Sequence, residues 1–409
     1  MRRVAVVLSA LAFVGAALGG CGQDERATIS IDHPDSLSDR PVHVRIGGLP
    51  AGHTVSVQLR LVNKRTLAST AAYRVPSGGV VDLRTAKPVG GTPYHGADPM
   101  GLFWTLRAKT DAPWHLTWTL RYTLTVRDGG TVVGRRTLTR RSTVSGLHSR
   151  KLRPDTDGVY GTMFEPPAGS PKRPGVLVFG GSEGGEFLDG VARMLAVHGF
   201  PSLSLAYFGE PGLPSSLTRV PLEYFAKAMT VLSHQPGVDP RHLAVLGGSR
   251  GGEAALLVGS YFPAQVHAVI ALTPANVAVG APPSGHDPAW TYRGKAIPYT
   301  RQFNEPAPTD VPKAVIPVER IAGPVLLTCG GRDAVWASCP YARAADARLS
   351  AHHDRYPHRV LAYPGAGHRS NALLPYVPVR NDPTAQADEA AKRSEWPATL
   401  AFLKQLRSA

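Results

Sequence analysis

Leu243-Ala244-Val245-Leu246-Gly247-Gly248-Ser249-Arg250-Gly251-Gly252-Glu253-Ala254-Ala255-Leu256-Leu257 joins two apolar runs through a turn made almost wholly of glycine. The first run has the length and character of a buried strand, and the second, rich in Ala and Leu, those of a helix. A strand that turns at once into a helix around a serine is the layout of a nucleophile elbow. The turn forces the serine into a strained backbone conformation, and small residues two before and two after it let strand and helix approach closely. The G-x-S-x-G pattern is short, however, and a chain with 43 glycines in 409 residues repeats it at Gly180-Gly181-Ser182-Glu183-Gly184. Context decides between Ser249 and Ser182 as the nucleophile.

Outward from the elbow, short apolar runs alternate with amphipathic ones. Gly175 to Phe179 reads as a buried strand, Phe187 to Val197 as a helix closed by Gly199, and Ser202 to Tyr207 as a strand. Pro221 stands where a helix can begin, with Leu222, Phe225, Ala226, Met229 and Leu232 on one face. Further strands follow at His267 to Leu272, Val325 to Thr328 and Arg359 to Ala362. This alternation implies a mostly parallel sheet covered on both faces, an α/β domain over 148–409. Within it, 279–318 is rich in Pro, Gly and aromatics and reads as a structureless cap or lid over the site.

If Ser249 is the nucleophile, an acid and then a histidine must follow it in the chain, each in the loop after a late strand. Asp333 follows Val325 to Thr328, and His368 follows Arg359 to Ala362. His368 then takes the serine proton, and Asp333 fixes its tautomer and stabilises the imidazolium. The oxyanion needs preorganised donors: the backbone N–H of Arg250, and one from Gly181 or Ser182 in the earlier glycine turn. That assignment gives the second G-x-S-x-G a role without a second nucleophile. The Arg250 side chain is read either as solvated or as meeting substrate charge.

Before residue 148 the pattern differs. Val42 to Ile46, Thr54 to Leu61 and Tyr122 to Val126 alternate apolar and polar residues, with a hairpin turn at Asp128-Gly129-Gly130 and no helical period of useful length. A small immunoglobulin-like β-sandwich over 41–147 is expected, joined to the α/β domain by a polar connector at Leu147 to Asp157. At the start, Arg2-Arg3, the apolar run Val4 to Leu18 and Gly19-Gly20-Cys21 form a secretory signal over 1–21, too short for a membrane span. Leu18-Gly19-Gly20-Cys21 resembles a bacterial lipobox, which implies an exported chain, lipid-anchored to the cell membrane through Cys21, with a tether over 22–40. A soluble secreted protein is the alternative. In an exported chain, Cys329 and Cys339 are read as a disulfide around Asp333, against two free buried thiols.

The net charge of +15 brings no stripe of basic residues interleaved with stacking aromatics, so nucleic acid is not an expected partner. His352, His353 and His358 lack the acidic ligand spacing of a zinc site, and no stretch implies a metal or any other cofactor.

Several stretches, taken together, are similar to the acyl-CoA thioesterase and bile acid-CoA:amino acid N-acyltransferase family. They are Leu222-Glu223-Tyr224-Phe225, Gly247 to Glu253, Ile316 to Ile321, Gly323 to Leu327, Tyr363-Pro364-Gly365-Ala366-Gly367-His368 and, nearer the N-terminus, Gly96 to Trp104. The resemblance implies a β-sandwich ahead of an α/β-hydrolase domain, with Ser249, Asp333 and His368 at the triad positions. Its N-acyltransferase branch uses Cys where this chain has Ser249, which favours hydrolysis of an acyl thioester or ester over transfer to an amine or alcohol acceptor. A non-catalytic acyl-binding lipoprotein is the third reading. Because free acyl-CoA is cytosolic, export points to another thioester or ester as substrate.

Overall fold

The computed structural model of the chain describes residues 26–62, 66–90, 92, 94–108, 118–352, 355–378 and 382–406. The expected signal with Cys21, the first part of the expected tether and His353 lie outside these residues.

The N-terminal part is a sandwich of a three-stranded and a six-stranded sheet. In strands such as Thr66–Arg74 every second residue is buried, so each strand gives one face to the core and one to solvent. Val44 and Ile46 from the smaller sheet meet Val55, Val57, Leu59, Leu124 and Val126 from the larger in a single apolar cluster. The expected hairpin joins Thr119–Asp128 to Thr131–Arg141, with Gly129 at φ +58°. One helical turn, Gly101–Trp104, departs from the all-strand expectation. Asp98 holds it locally: its carboxylate accepts the Met100 N–H and the Trp104 indole N–H, each at 2.9 Å.

The α/β part is built on an eight-stranded sheet. Its strands are β1 (His148–Leu152), β2 (Tyr160–Glu165), β3 (Arg173–Phe179), β4 (Ser202–Ala206), β5 (Val238–Gly248), β6 (Ala268–Leu272), β7 (Val325–Gly330) and β8 (His358–Tyr363). Their order is β1-β2-β4-β3-β5-β6-β7-β8. The first two strands are antiparallel to their neighbours and all later pairings are parallel. This is the doubly covered α/β-hydrolase sheet expected from the alternation. Its helices are α1 (Asp189–Val197), α2 (Leu222–Ser233), α3 (Arg250–Tyr261), α4 (Ser338–Ala351) and α5 (Ala385–Gln405). Along β5, Val245 packs with α2 and α3 on one face, while Ala244 and Leu246 pack with α1 and α5 on the other.

Three expectations need correction. Leu147 to Asp157 is not a plain connector, because β1 lies inside it; four of its five residues are exposed, so an edge strand formed without an apolar pattern. On α2 the buried alanine is Ala228 rather than Ala226. The 279–318 segment is not structureless. Trp290–Tyr292 and Lys295–Ala296 form a small sheet with Val220–Pro221. Trp290 is buried against Tyr207 and Phe225, so burial of apolar rings stitches the insert to the domain.

Candidate active site

The parallel run of β5 between β3 and β6 ends at Gly248, and α3 begins at Arg250. Ser249 between them has φ 58° and ψ −122°, a left-handed φ that costs a non-glycine residue about 1–3 kcal/mol and is kept only where surroundings enforce it. They do so here. A Cβ on Gly247 would stand 2.0 Å from the Gly251 carbonyl oxygen, and one on Gly251 would stand 2.3 Å from that of Gly180. The glycines flanking Ser249 are therefore required by close backbone approach.

Asp333 sits in the turn after β7 and His368 opens the short helix His368–Ala372 after β8. Asp333 Oδ1 accepts the N–H groups of Val335 (2.9 Å) and Trp336 (3.2 Å), and Oδ2 accepts His368 Nδ1–H at 2.8 Å. Because the carboxylate only accepts, the Nδ1–H tautomer follows and Nε2 is left as an acceptor. It meets Ser249 Oγ at 2.8 Å. Both contacts are in the hydrogen-bond range expected of a poised nucleophile. Trp336 packs its ring edge-on to His368, 5.9 Å between centroids, and donates to the Thr273 carbonyl at 3.0 Å. The Asp333 side chain is 1% exposed. A disulfide joins Cys329 in β7 to Cys339 in α4 and closes the loop that carries Asp333.

In the glycine turn after β3, a Cβ on Gly181 would lie 2.9 Å from that of Ser249. Ser182 is exposed there, and His368 faces Ser249. The Gly181 N–H donates to Glu183 Oε2 at 3.0 Å. The Arg250 N–H is a first-turn helix amide, which has no partner within its own helix.

Residues 220–406 match the family described as BAAT / acyl-CoA thioester hydrolase C-terminal, and residues 39–154 match the acyl-CoA thioester hydrolase/BAAT N-terminal region. Peroxisomal succinyl-coenzyme A thioesterase of Mus musculus is 30% identical over 383 residues, covering 86% of this chain and 87% of its own. The chain belongs to the acyl-CoA thioesterase and bile acid-CoA:amino acid N-acyltransferase family. Both branches are near: acyl-coenzyme A amino acid N-acyltransferase 1 of Mus musculus is 29% identical, covering 84% of this chain and 86% of its own. Among solved structures, a putative dienelactone hydrolase of Klebsiella pneumoniae aligns with TM-score 0.45 at 17% identity, covering 63% of this chain and 99% of that one.

This family member is an enzyme of the α/β-hydrolase fold, and the surroundings of its site depart from the sequence reading. The Arg250 side chain, read as solvated or as meeting substrate charge, is instead buried, 3.0 Å from the Glu253 carboxylate and bonded to the Val279 carbonyl at 2.7 Å, so it is turned into the protein. Burial pushes the Glu253 carboxyl up to about 7, against the pull of Arg250 and the Val279 and Trp290 N–H bonds. Asp388, in the first turn of α5, accepts the N–H of Gly367 at 2.5 Å and the Thr384 hydroxyl at 2.9 Å, directly behind His368. Burial raises its pKa, opposed by those hydrogen bonds. Asp388, Lys392, Glu395 and Thr399 are all buried at helical spacing, a polar stripe that an amphipathic reading assigns to solvent.

Proposed function

We propose that the protein hydrolyses an acyl thioester or ester through an acyl-enzyme on Ser249, with His368 as general base and Asp333 as its orienting acid. The observation that carries this reading is His368, bonded through one ring nitrogen to Ser249 and through the other to Asp333. In the first half-reaction Ser249 Oγ attacks the acyl carbon and its proton passes to His368 Nε2. The negative oxygen is met by the Arg250 amide at the positive end of α3, with a second donor from Gly181 or Ser182. Collapse breaks the C–S or C–O bond, and His368 returns the proton to the leaving thiol or alcohol. Water then repeats the sequence on the acyl-enzyme and frees Ser249. Family membership supports thioester chemistry in general. In this reading the enzyme works outside the cytoplasm, held to the membrane by acylated Cys21.

A fluorophosphonate probe on wild type, Ser249→Ala, Ser182→Ala and His368→Ala tests the assignment, followed by turnover of an acyl-CoA, a simple acyl thioester and an ester series. Labelling is lost in Ser249→Ala and kept in Ser182→Ala, and turnover falls about 10⁴-fold or more in Ser249→Ala and His368→Ala. Labelling that persists in Ser249→Ala overturns the reading. Acyl transfer to an added amine or alcohol at the expense of free acid would move the assignment to an acyltransferase. Cys21→Ser shifts the labelled protein from the membrane to the soluble fraction; an unchanged distribution rejects the anchor.

A further inference from the structure

One face of the sandwich carries a group of exposed arginines. In Thr119–Asp128 the side chains of Leu120, Tyr122, Leu124 and Val126 fill the core, so Arg121, Thr123, Thr125 and Arg127 point outward. Strand register extends that outer face. Arg60 and Thr137 stand opposite Thr123, Arg135 opposite Thr125, Ser56 opposite Arg127, and Arg74 opposite Thr54. Arg60, Arg74, Arg121, Arg127 and Arg135 are all exposed, and among the described residues none of them has a carboxylate partner. Asp35, which the register sets on this face opposite Thr139, is held by Arg141 at 2.6 Å. Between the arginines stand Thr, Ser, Gln and Ala.

Such a face is a ready surface for anions. Along the strand, Arg121 to Arg127 span about 20 Å, and adjacent strands add about 4.8 Å each, so the guanidinium groups are arrayed over a flat area. Like charges at this spacing repel one another, and a layer of opposite charge relieves the repulsion. Among the described residues the face presents no aromatic ring on which a base could stack and no element shaped to enter a nucleic-acid groove. The first strand of the same sandwich, Thr28–Ile31, follows closely on Cys21, so an acylated Cys21 would deliver this domain to a lipid surface. A lipid chain with a basic patch is the two-signal arrangement that holds proteins on membranes.

We propose that the outer face of the six-stranded sheet docks on an anionic phospholipid surface, with Arg60, Arg121, Arg127 and Arg135 against the headgroup phosphates. Charge complementarity carries the proposal, which is independent of the catalytic assignment.

The test is co-sedimentation of the full chain carrying Cys21→Ser with vesicles of phosphatidylcholine alone, and with vesicles containing about one-third phosphatidylglycerol. Both samples share the same N-terminus, so the increment due to phosphatidylglycerol is the readout. That increment is expected to vanish on raising NaCl from about 0.1 to about 1 M. It should fall about 100-fold in the triple variant Arg60→Gln, Arg121→Gln, Arg135→Gln. A control triple variant on the α/β part, Lys172→Gln, Lys313→Gln, Lys404→Gln, removes the same charge and should keep the increment. Circular dichroism and thermal unfolding check that each variant is folded. Equal loss in both triple variants would assign the effect to net charge and overturn the face. So would the absence of any increment, or its survival in the Arg variant. Duplex DNA that binds at 0.1 M NaCl more tightly than the vesicles, and loses binding in the same Arg variant, would reject lipid as the partner.

Discussion

Glu183 stands where the proposed oxyanion would form. Its carboxylate accepts the Gly181 N–H at 3.0 Å, and Gly181 is packed against Ser249. An oxyanion forming at Ser249 would have to share that amide with an existing negative charge, or displace it. Because Glu183 is exposed, it can swing away at small cost, and solvent screens its charge. Glu183→Gln keeps the size of the side chain and removes the charge. Its kcat is expected to rise about 5-fold with little change in KM, the size of a screened charge a few ångströms from a developing oxyanion. Steady-state kinetics on a neutral acyl ester would check this. A fall in kcat would instead make Glu183 a support for the turn, and the second oxyanion donor would then be Ser182. The strained turn at Ser249 was legible because it requires small residues on either side, and Gly247 and Gly251 stand there in the sequence. Glu183 was not, because its partner is a backbone N–H and every residue type but proline has one.

At the scale of elements, a parallel strand such as β6 could be read as a continuous apolar run because it is buried at every position. The edge strand β1 could not, since only Leu152 of its residues is buried. Nor could α5, whose buried face includes Asp388, Glu389, Lys392 and Glu395. Burial pushes Glu395 up to about 8, and Lys392 pairs with Glu389 at 3.2 Å, so the cost of burying charge is met by neutralisation and pairing that only the fold brings about. This polar stripe backs His368, for Asp388 fastens Gly367 while a Cβ on Gly367 would stand 2.5 Å from Thr384 Oγ1. Asp388→Ala is expected to lower kcat about 10-fold with KM nearly unchanged, and Asp388→Asn, which keeps an acceptor, to recover most of the loss. In a His368→Ala background the same substitution should leave residual turnover unaltered. A loss of equal size in that background would mean that Asp388 matters for stability generally and not for the placement of His368.

Across the whole molecule, the sandwich is fastened to the α/β part by hydrogen bonds that end mostly on α5, with one on His198 at the end of α1. Both oxygens of Asp98 take Arg393 at 2.9 Å. Asp39 takes His198 at 2.5 Å and the Trp396 indole N–H at 2.7 Å, and Gln386 bonds the His95 backbone at 3.0 and 2.9 Å. Burial works against an ionised Asp39, and the His198 and Trp396 bonds outweigh it and hold its pKa low. Asp98 is the more consequential anchor, because it also holds the Gly101–Trp104 turn through Met100 and Trp104. Removing it leaves three donors without their acceptor, while removing Arg393, whose side chain is 27% exposed, takes one donor from Asp98 and one from Glu389, each of which keeps other partners. Asp98→Ala should therefore cost about 3 kcal/mol of stability and Arg393→Ala about 1–2 kcal/mol. The double variant should lose less than the sum, since the second substitution removes a contact already broken. Chemical denaturation of the four proteins measures the cycle. Additive losses would show that Asp98 and Arg393 act separately. A coupling of about 1 kcal/mol or more would establish the sandwich as a brace on α5, the helix that stands behind His368.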